Sequence, residues 1–298
     1  MLSSVTLQRS LRVKKKAFHQ FWNLYKTKKA GLIGLAVLVV LCVFAAFPSV
    51  FSPYNPNTIG GGVISFMSPP STSHLLGTDD AGQDVLSELI WGARGSLLIG
   101  FFATAIAILI GSSIGLLSGF YGGLRGEFLM RVTDVFLVLP ALPLMIILAA
   151  VLAPSLWNVA LVIGITGWTG TARIVRSAVI SLRERTYIYR ARAVGCSDSR
   201  IILQHLFPDV VPLIFANAVI VAAFAVASEA FLSFLGLGDL STISWGSMLY
   251  FAFNMGAFTS GAYWYFLPPG ILIVVTILAF TGVGYGLDEV LNPRLRKT

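Results

Sequence analysis

The chain has 298 residues, 56% of them hydrophobic and 11% charged, with a mean hydropathy of +0.82 and a formal net charge of +8. A soluble domain carries about a quarter charged residues, so this chain cannot cover itself with polar surface and is read as an all-α integral membrane protein. The excess positive charge does not point to nucleic acid, because its placement follows the apolar segments described next.

Residues 1–30 are basic, with eight Lys and Arg before residue 30. Trp22 and Tyr25 suit an interfacial helix leading into the membrane. The basic region and the apolar run after it are both too long for a signal peptide, whose apolar core is about 7–15 residues; an uncleaved anchor is expected. A span needs about 20 apolar residues. Residues 31–51 meet that as the first span, and 95–120 as the second. Residues 135–172 are uncharged but too long for one helix, and Pro154-Ser155 divides them into spans at 135–153 and 156–172. The fifth is expected from Pro208 to Leu232, and the sixth over 263–287. Between the first two spans, 52–93 is an extracytoplasmic connector dense in Pro, Gly, Ser and Asn, followed by a pre-core helix. Residues 241–262 are uncharged yet rich in Gly, Ser, Thr and Asn, and are read as a re-entrant or interfacial element.

Six spans place every basic cluster on one side: the first 29 residues, Arg125 and Arg131, the seven arginines of 173–200, and the tail 291–298. The opposite loops, 52–93, 154–155 and 233–262, contain no Lys or Arg. Positive flanks stay cytoplasmic, so both termini are expected there, in a plasma or inner membrane.

Chemistry is sparse. His19, His74 and His205 are scattered, and there is no HExxH, no Gly-x-Ser-x-Gly and no phosphate-binding loop ending in Lys-Ser/Thr. No catalytic residue, cofactor or metal is expected on this chain. Cys42 and Cys196 make neither a disulfide framework nor a metal site. Asp79, Asp80 and Asp84 read as a helix start with Thr78 or Asp79 as N-cap; hard-cation ligation is the alternative. Asp134 is expected to pair with Arg131 at i,i+3. Glu229, an acid within a span, either lines a pathway or bonds to a neighbouring helix. The Gly111-to-Gly115 spacing signals close helix packing, and Pro140 and Pro143 should kink the third span.

The cytoplasmic segment 183–208 stands out. "RTYIYRARAV" reads as a short helix stopped by Gly195. Ser197 can cap the next helix, with Asp198 in its first turn. Ile201, Ile202 and Leu203 make one apolar side, His205 follows, and Pro208 opens the fifth span. Such a knob either docks on a protein or lies on anionic lipid.

The run "YRARAVGCSDSRIILQHLFP" resembles the signature cytoplasmic loop of binding-protein-dependent ABC importer permeases. Ala191, Gly195, Ser197, Asp198, Ile201, Ile202, His205 and Pro208 match; Tyr189 and Arg190 stand where Glu and Ala are frequent, and Phe207 where Leu is. "HLLGTDDAGQDVLSELIWGARGSLLIG" (74–100, with Gln83 where Arg is usual), "GFYGG…LMRVTDVFLVLP", "SEAFLSFLGLG…SWGSML" and "LDEVLNPRLR" are similar to the dipeptide, oligopeptide and nickel branch, its C-type permease. The resemblance implies a five-helix core at 94–290 preceded by one extra N-terminal helix. It also implies a homologous permease partner, two cytoplasmic ATP-binding subunits that hold ATP and Mg, and an extracytoplasmic substrate-binding protein. The loop 183–208 would couple to the ATPases. Peptide is the expected substrate, with oligosaccharide or nickel as alternatives. An ion-gradient-driven transporter is the rival class, but it calls for an internal repeat that the sequence does not display.

Overall fold

The computed structural model describes residues 22–56 and 66–291. The basic segment before Trp22, residues 57–65 of the connector and the tail from 292 lie outside the described residues. Among the described residues the regular secondary structure is all helix, joined by turns and loops, with one isolated β-bridge between Thr78 and Asp84.

Helix α1 (Lys29–Ala46) ends earlier than expected. Phe47 leaves the helical region (φ −127°, ψ 53°) because it precedes Pro48, which crowds a helical neighbour. A separate turn, Pro48–Phe51, follows. Tyr25 is buried against the protein, and its hydroxyl donates to the Gly31 carbonyl at 3.0 Å.

Helix α2 (Val85–Tyr121) runs for 37 residues and begins ten positions before the expected span. At 1.5 Å per residue it is about 55 Å long, well beyond the roughly 30 Å of hydrocarbon. Asp84 caps it, accepting the Ser87 N–H at 2.9 Å, so neither Thr78 nor Asp79 is the cap. Gly122, at φ +59°, ends it.

The third expected span, 135–153, is broken rather than gently kinked. Helices α3 (Gly123–Val138) and α4 (Ala141–Val151) meet at 88°. Pro140 removes a donor and holds Leu139 in extended geometry (φ −69°, ψ 129°). Helix α5 (Leu156–Gly167) is capped by the Ser155 hydroxyl, which accepts the Asn158 N–H. Through Trp168 it passes directly into α6 (Thr169–Arg183). A short helix, α7 (Thr186–Ala193), leads to α8 (Asp198–Phe234). That last helix starts ten residues before Pro208, the expected beginning of the fifth span. Its run contains a π turn at Ile202–Leu206, closed by the Phe207 N–H on the Ile202 carbonyl. Pro208 and Pro212 offer no N–H to the turns before them, and the wider turn lets the chain continue without a break. Two helices complete the bundle, α9 (Trp245–Asn254) and α10 (Tyr263–Leu291).

Helices α1, α2, α8 and α10 are each long and apolar enough to cross a membrane, and the pair α3 and α4, bent by 88°, has the composition of either one broken span or a re-entrant loop. The expected fourth span, 156–172, falls on the 12-residue apolar α5 and the start of α6, and α5 by itself is too short to cross. Residues 241–262 hold α9, at ten residues too short to span. Small residues bring the helices together, as the glycine spacing suggests. A methyl on Gly111 would lie 2.5 Å from the Trp168 carbonyl, and one on Gly115 2.7 Å from that of Ala172. The α2–α6 contact therefore depends on the missing side chains.

Candidate functional site

The segment 183–208 forms a knob at the end of the bundle where α6 stops and α8 starts. Helix α7 closes as a Schellman turn. The Cys196 N–H donates to the Ala191 carbonyl and the Gly195 N–H to that of Arg192, both at 3.0 Å, with Gly195 at φ +79°. Gly195 is thus the stop the sequence indicates, at a position where a side chain is strained but meets no neighbour within 4 Å. Ser197 holds the N-cap position in backbone geometry, but its hydroxyl lies 3.3 Å from the Ser199 hydroxyl and does not cap.

The matched residues divide into two sets. Ala191, Ile201 and Ile202 are buried, sharing an apolar cluster with Ile188, Val175, Val179 and Leu206. The apolar run 201–203 is thus split between two faces. Ile201 and Ile202 face the bundle because consecutive helical residues turn about 100°, and only Leu203 is left outside, 65% exposed. Gly195, Ser197, Asp198 and Pro208 are exposed, and His205 is half-buried with its ring 6.3 Å from that of Tyr187. The outer face is led by a residue the sequence reading did not single out: Val194, 79% exposed at the tip.

Polar contacts fasten the knob. The Tyr187 hydroxyl donates to Asp209 at 2.5 Å, tying α7 to α8. Burial first, and then the Asp209 carboxylate, push this phenol up to about 12. The Tyr189 hydroxyl donates to Glu184 at 2.5 Å, and Arg183 Nε donates to the same carboxylate at 3.1 Å. Both bonds hold Glu184 below its ordinary range, Tyr189 contributing more. Arg183 Nη1 also donates to the Gly119 carbonyl at 3.1 Å, and Arg192 lies 5.3 Å over the Phe120 ring. At the Tyr189 position, where the resembled family frequently has Glu, a carboxylate is still present: it arrives from Glu184.

Near the start of α6, Asp134 does not pair with Arg131. Arg173 on α6 donates to it at 2.6 Å, while Arg131 bonds to Glu127 one turn back at 3.3 Å. The packing of α3 along α6 supplies a cation that sequence spacing cannot reveal.

At the other end, Glu229 is 0% exposed. Ser96 and Ser233 donate their hydroxyls to its two oxygens, each at 2.9 Å. Ser96 Oγ also accepts the Trp245 N–H at 3.2 Å, so one carboxylate joins α2, α8 and the start of α9. Trp245 is itself fully buried, with its indole N–H on the Leu89 carbonyl. Asp79 accepts the N–H groups of Ala81 (2.9 Å) and Gln83 (2.6 Å). Burial nevertheless raises its carboxyl to about 6, opposed by the Gln83 bond and reinforced by Asp80. Asp80 accepts the Tyr265 hydroxyl at 2.6 Å, and Asp84 accepts from Ser87 and faces His74 Nδ1 at 3.0 Å. These acids organise turns, and among the described residues they do not assemble into a group of three that would hold a metal ion.

Known proteins resemble this chain along most of its length. Residues 107–297 match the binding-protein-dependent transport system inner membrane component family. Residues 16–70 match the N-terminal TM domain of oligopeptide transport permease C. The oligopeptide transport system permease protein OppC of Bacillus subtilis is 35% identical over 92% of this chain and 88% of its own length. The dipeptide transport system permease protein DppC of Alkalihalophilus pseudofirmus is 38% identical over 76% and 74%. The di/tripeptide permease protein DppC of Pseudomonas aeruginosa is 33% identical over 93% and 92%. Among solved structures, a chain of the inward-facing MetNI methionine ABC transporter superposes with a TM-score of 0.54 at 17% identity, over 72% of this chain and 97% of that one. At that identity the likeness speaks for the fold.

Proposed function

The chain belongs to the binding-protein-dependent transport system inner membrane component family, and on that premise we propose that it forms half of the translocation pathway of an ATP-driven peptide importer. The relatives named for oligopeptide, dipeptide and di/tripeptide transport support the substrate class. A second permease would supply the other half, and two cytoplasmic ATP-binding subunits, carrying ATP and Mg, the energy. An extracytoplasmic binding protein would deliver substrate at the end where α1 finishes and α2 begins. This chain performs no chemistry of its own: its work is to convert motion of the ATPases into opening and closing of helices.

The knob 183–208 carries the reading. Its tip, Val194 and Gly195, is exposed, whereas its underside (Ile188, Ala191, Ile201 and Ile202) is locked into α6 and α8. A push on the tip therefore moves α8 as a lever; a knob on a loose tether would absorb it. Glu229, buried and doubly hydrogen-bonded, acts in this account as a joint between α2, α8 and α9, away from the substrate path. The test is reconstitution with the sister permease, both ATPases and the binding protein in proteoliposomes. ATP-dependent uptake of labelled di- and oligopeptides is expected. Uptake that follows an ion gradient without ATP would overturn the proposal.

A further inference from the structure

Arg94 stands apart from the knob and from the Glu229 joint. It lies in α2 at the end of the bundle where the described segments 66–93 and 235–262 contain neither Lys nor Arg. Its side chain is exposed, and among the described residues no carboxylate lies within ion-pair distance of it. Asp239, nearby in the turn before α9, is engaged by Ser241 and Thr242. At the edge of a membrane span an arginine can keep its head at the water boundary, where its free donors are available to an anionic group.

Two open grooves share Arg94 in their lining. One, of about 240 Å³, is lined by Trp91, Arg94, Leu98, Ser241 and Thr242. Its wall includes Trp91, whose indole N–H is buried with no acceptor. The other, of about 310 Å³, runs between α1 and α2 and is lined by Cys42, Ala45, Ala46, Leu97 and Leu98 besides Arg94. Apart from the guanidinium it is hydrocarbon and one thiol. A ligand that satisfies both features has an anionic head and an apolar chain.

We propose that Arg94 holds the phosphate of a bound phospholipid, with an acyl chain lying in the groove between α1 and α2. The arginine stem runs along apolar surface while its head stays at the water boundary, and a guanidinium is well suited to grip a phosphodiester through paired N–H donors. The groove distinguishes this ligand from a free anion, which would use the charge and leave the hydrocarbon wall empty. It also distinguishes it from a peptide carboxylate, which would not require a slot opening beside α1, whose Val39, Val40 and Val43 are exposed. The inference needs only that the chain sits in a bilayer, and it stands or falls apart from what the importer carries.

The test is native mass spectrometry of the assembled importer after partial delipidation and titration with phosphatidylglycerol, for the unaltered chain, Arg94→Gln and Ala46→Leu. The unaltered importer is expected to retain a phospholipid. Loss of the charge-assisted contact should weaken retention about tenfold or more. Ala46→Leu should weaken it as well, by filling the groove with Arg94 untouched. Retention unchanged in either variant overturns the assignment. So does displacement of the lipid by inorganic phosphate or by a short peptide at equal concentration, which would make the site a free-anion or a substrate-carboxylate site.

Discussion

Glu229 offers the sharpest test of how the bundle is joined. Glu229→Ala removes the acceptors of two buried hydroxyls, those of Ser96 and Ser233, both 2.9 Å from the carboxylate. A buried polar group left unpaired costs about 1–3 kcal/mol. Ser233 has an escape, since a helical serine can turn to the carbonyl four residues back. Ser96, inside α2, has the same recourse toward the carbonyl four residues back, but it also accepts the Trp245 N–H and is held by that bond. Adding the volume of the lost side chain in a site with no solvent exposure, the total is on the order of 3–5 kcal/mol. Glu229→Gln keeps one acceptor, and its amide can donate to a serine that rotates to receive it, so its cost is about 1 kcal/mol. Thermal unfolding of the purified importer, followed by tryptophan fluorescence because Trp245 reports on this joint, should rank Ala well below Gln and Gln slightly below the unaltered chain. Transport should follow the same order. If Glu229→Gln keeps its Tm but abolishes uptake, the carboxylate acts on the substrate path and the joint reading is wrong.

Gly195→Val places a β-branched residue at φ +79°, where even a simple L-residue pays about 1–2 kcal/mol. With no neighbour to clash, the chain should insert normally while substrate-stimulated ATPase activity and uptake fall together; full coupling in this variant would count against the lever. Tyr187→Phe deletes the 2.5 Å bond to Asp209 and is expected to lower coupling modestly, with a stability loss of about 1 kcal/mol read from thermal unfolding. Gly115→Val drives its side chain toward the Ala172 carbonyl and Val175. It should destabilise the α2–α6 pair strongly, and wild-type expression and Tm would refute that packing. For Asp79, the folded carboxyl at about 6 lies above its ordinary value. The folded state therefore holds its proton longer, and stability declines as pH rises from about 4 to about 6. Asp79→Asn, which keeps the acceptor for Ala81 and Gln83, should flatten that slope in a pH series of unfolding midpoints.

Hydropathy and turn chemistry made most of the architecture legible. The apolar runs located the helices, Gly195 marked the end of α7 as its φ requires, and Pro140 marked the break between α3 and α4. Helix ends were less legible, because polar residues at a boundary do not declare which side of it they are on. Val85 to Arg94 extends α2 through a largely buried stretch carrying Ser87 and Glu88, and Asp198 to Phe207 joins α8 although Pro208 suggested a later start. The partners of charged residues were hidden for a different reason. Arg131 stood closest to Asp134 in the chain, but Arg173, 39 residues away, is its partner in space. The knob shows both sides. Its residues were identifiable by type and spacing, yet which of them anchor and which face outward depended on the packing of α7 against α6, which no single-sequence pattern encodes.

The central claim is that the tip of the knob meets the ATPase. A photo-crosslinking amino acid at Val194, exposed and outside every internal contact described above, tests it within the assembled importer in native membranes. The account predicts a covalent adduct between this chain and an ATP-binding subunit, with its yield changing when ATP is bound. Adducts to lipid alone, with none to an ATP-binding subunit in either nucleotide state, would contradict it.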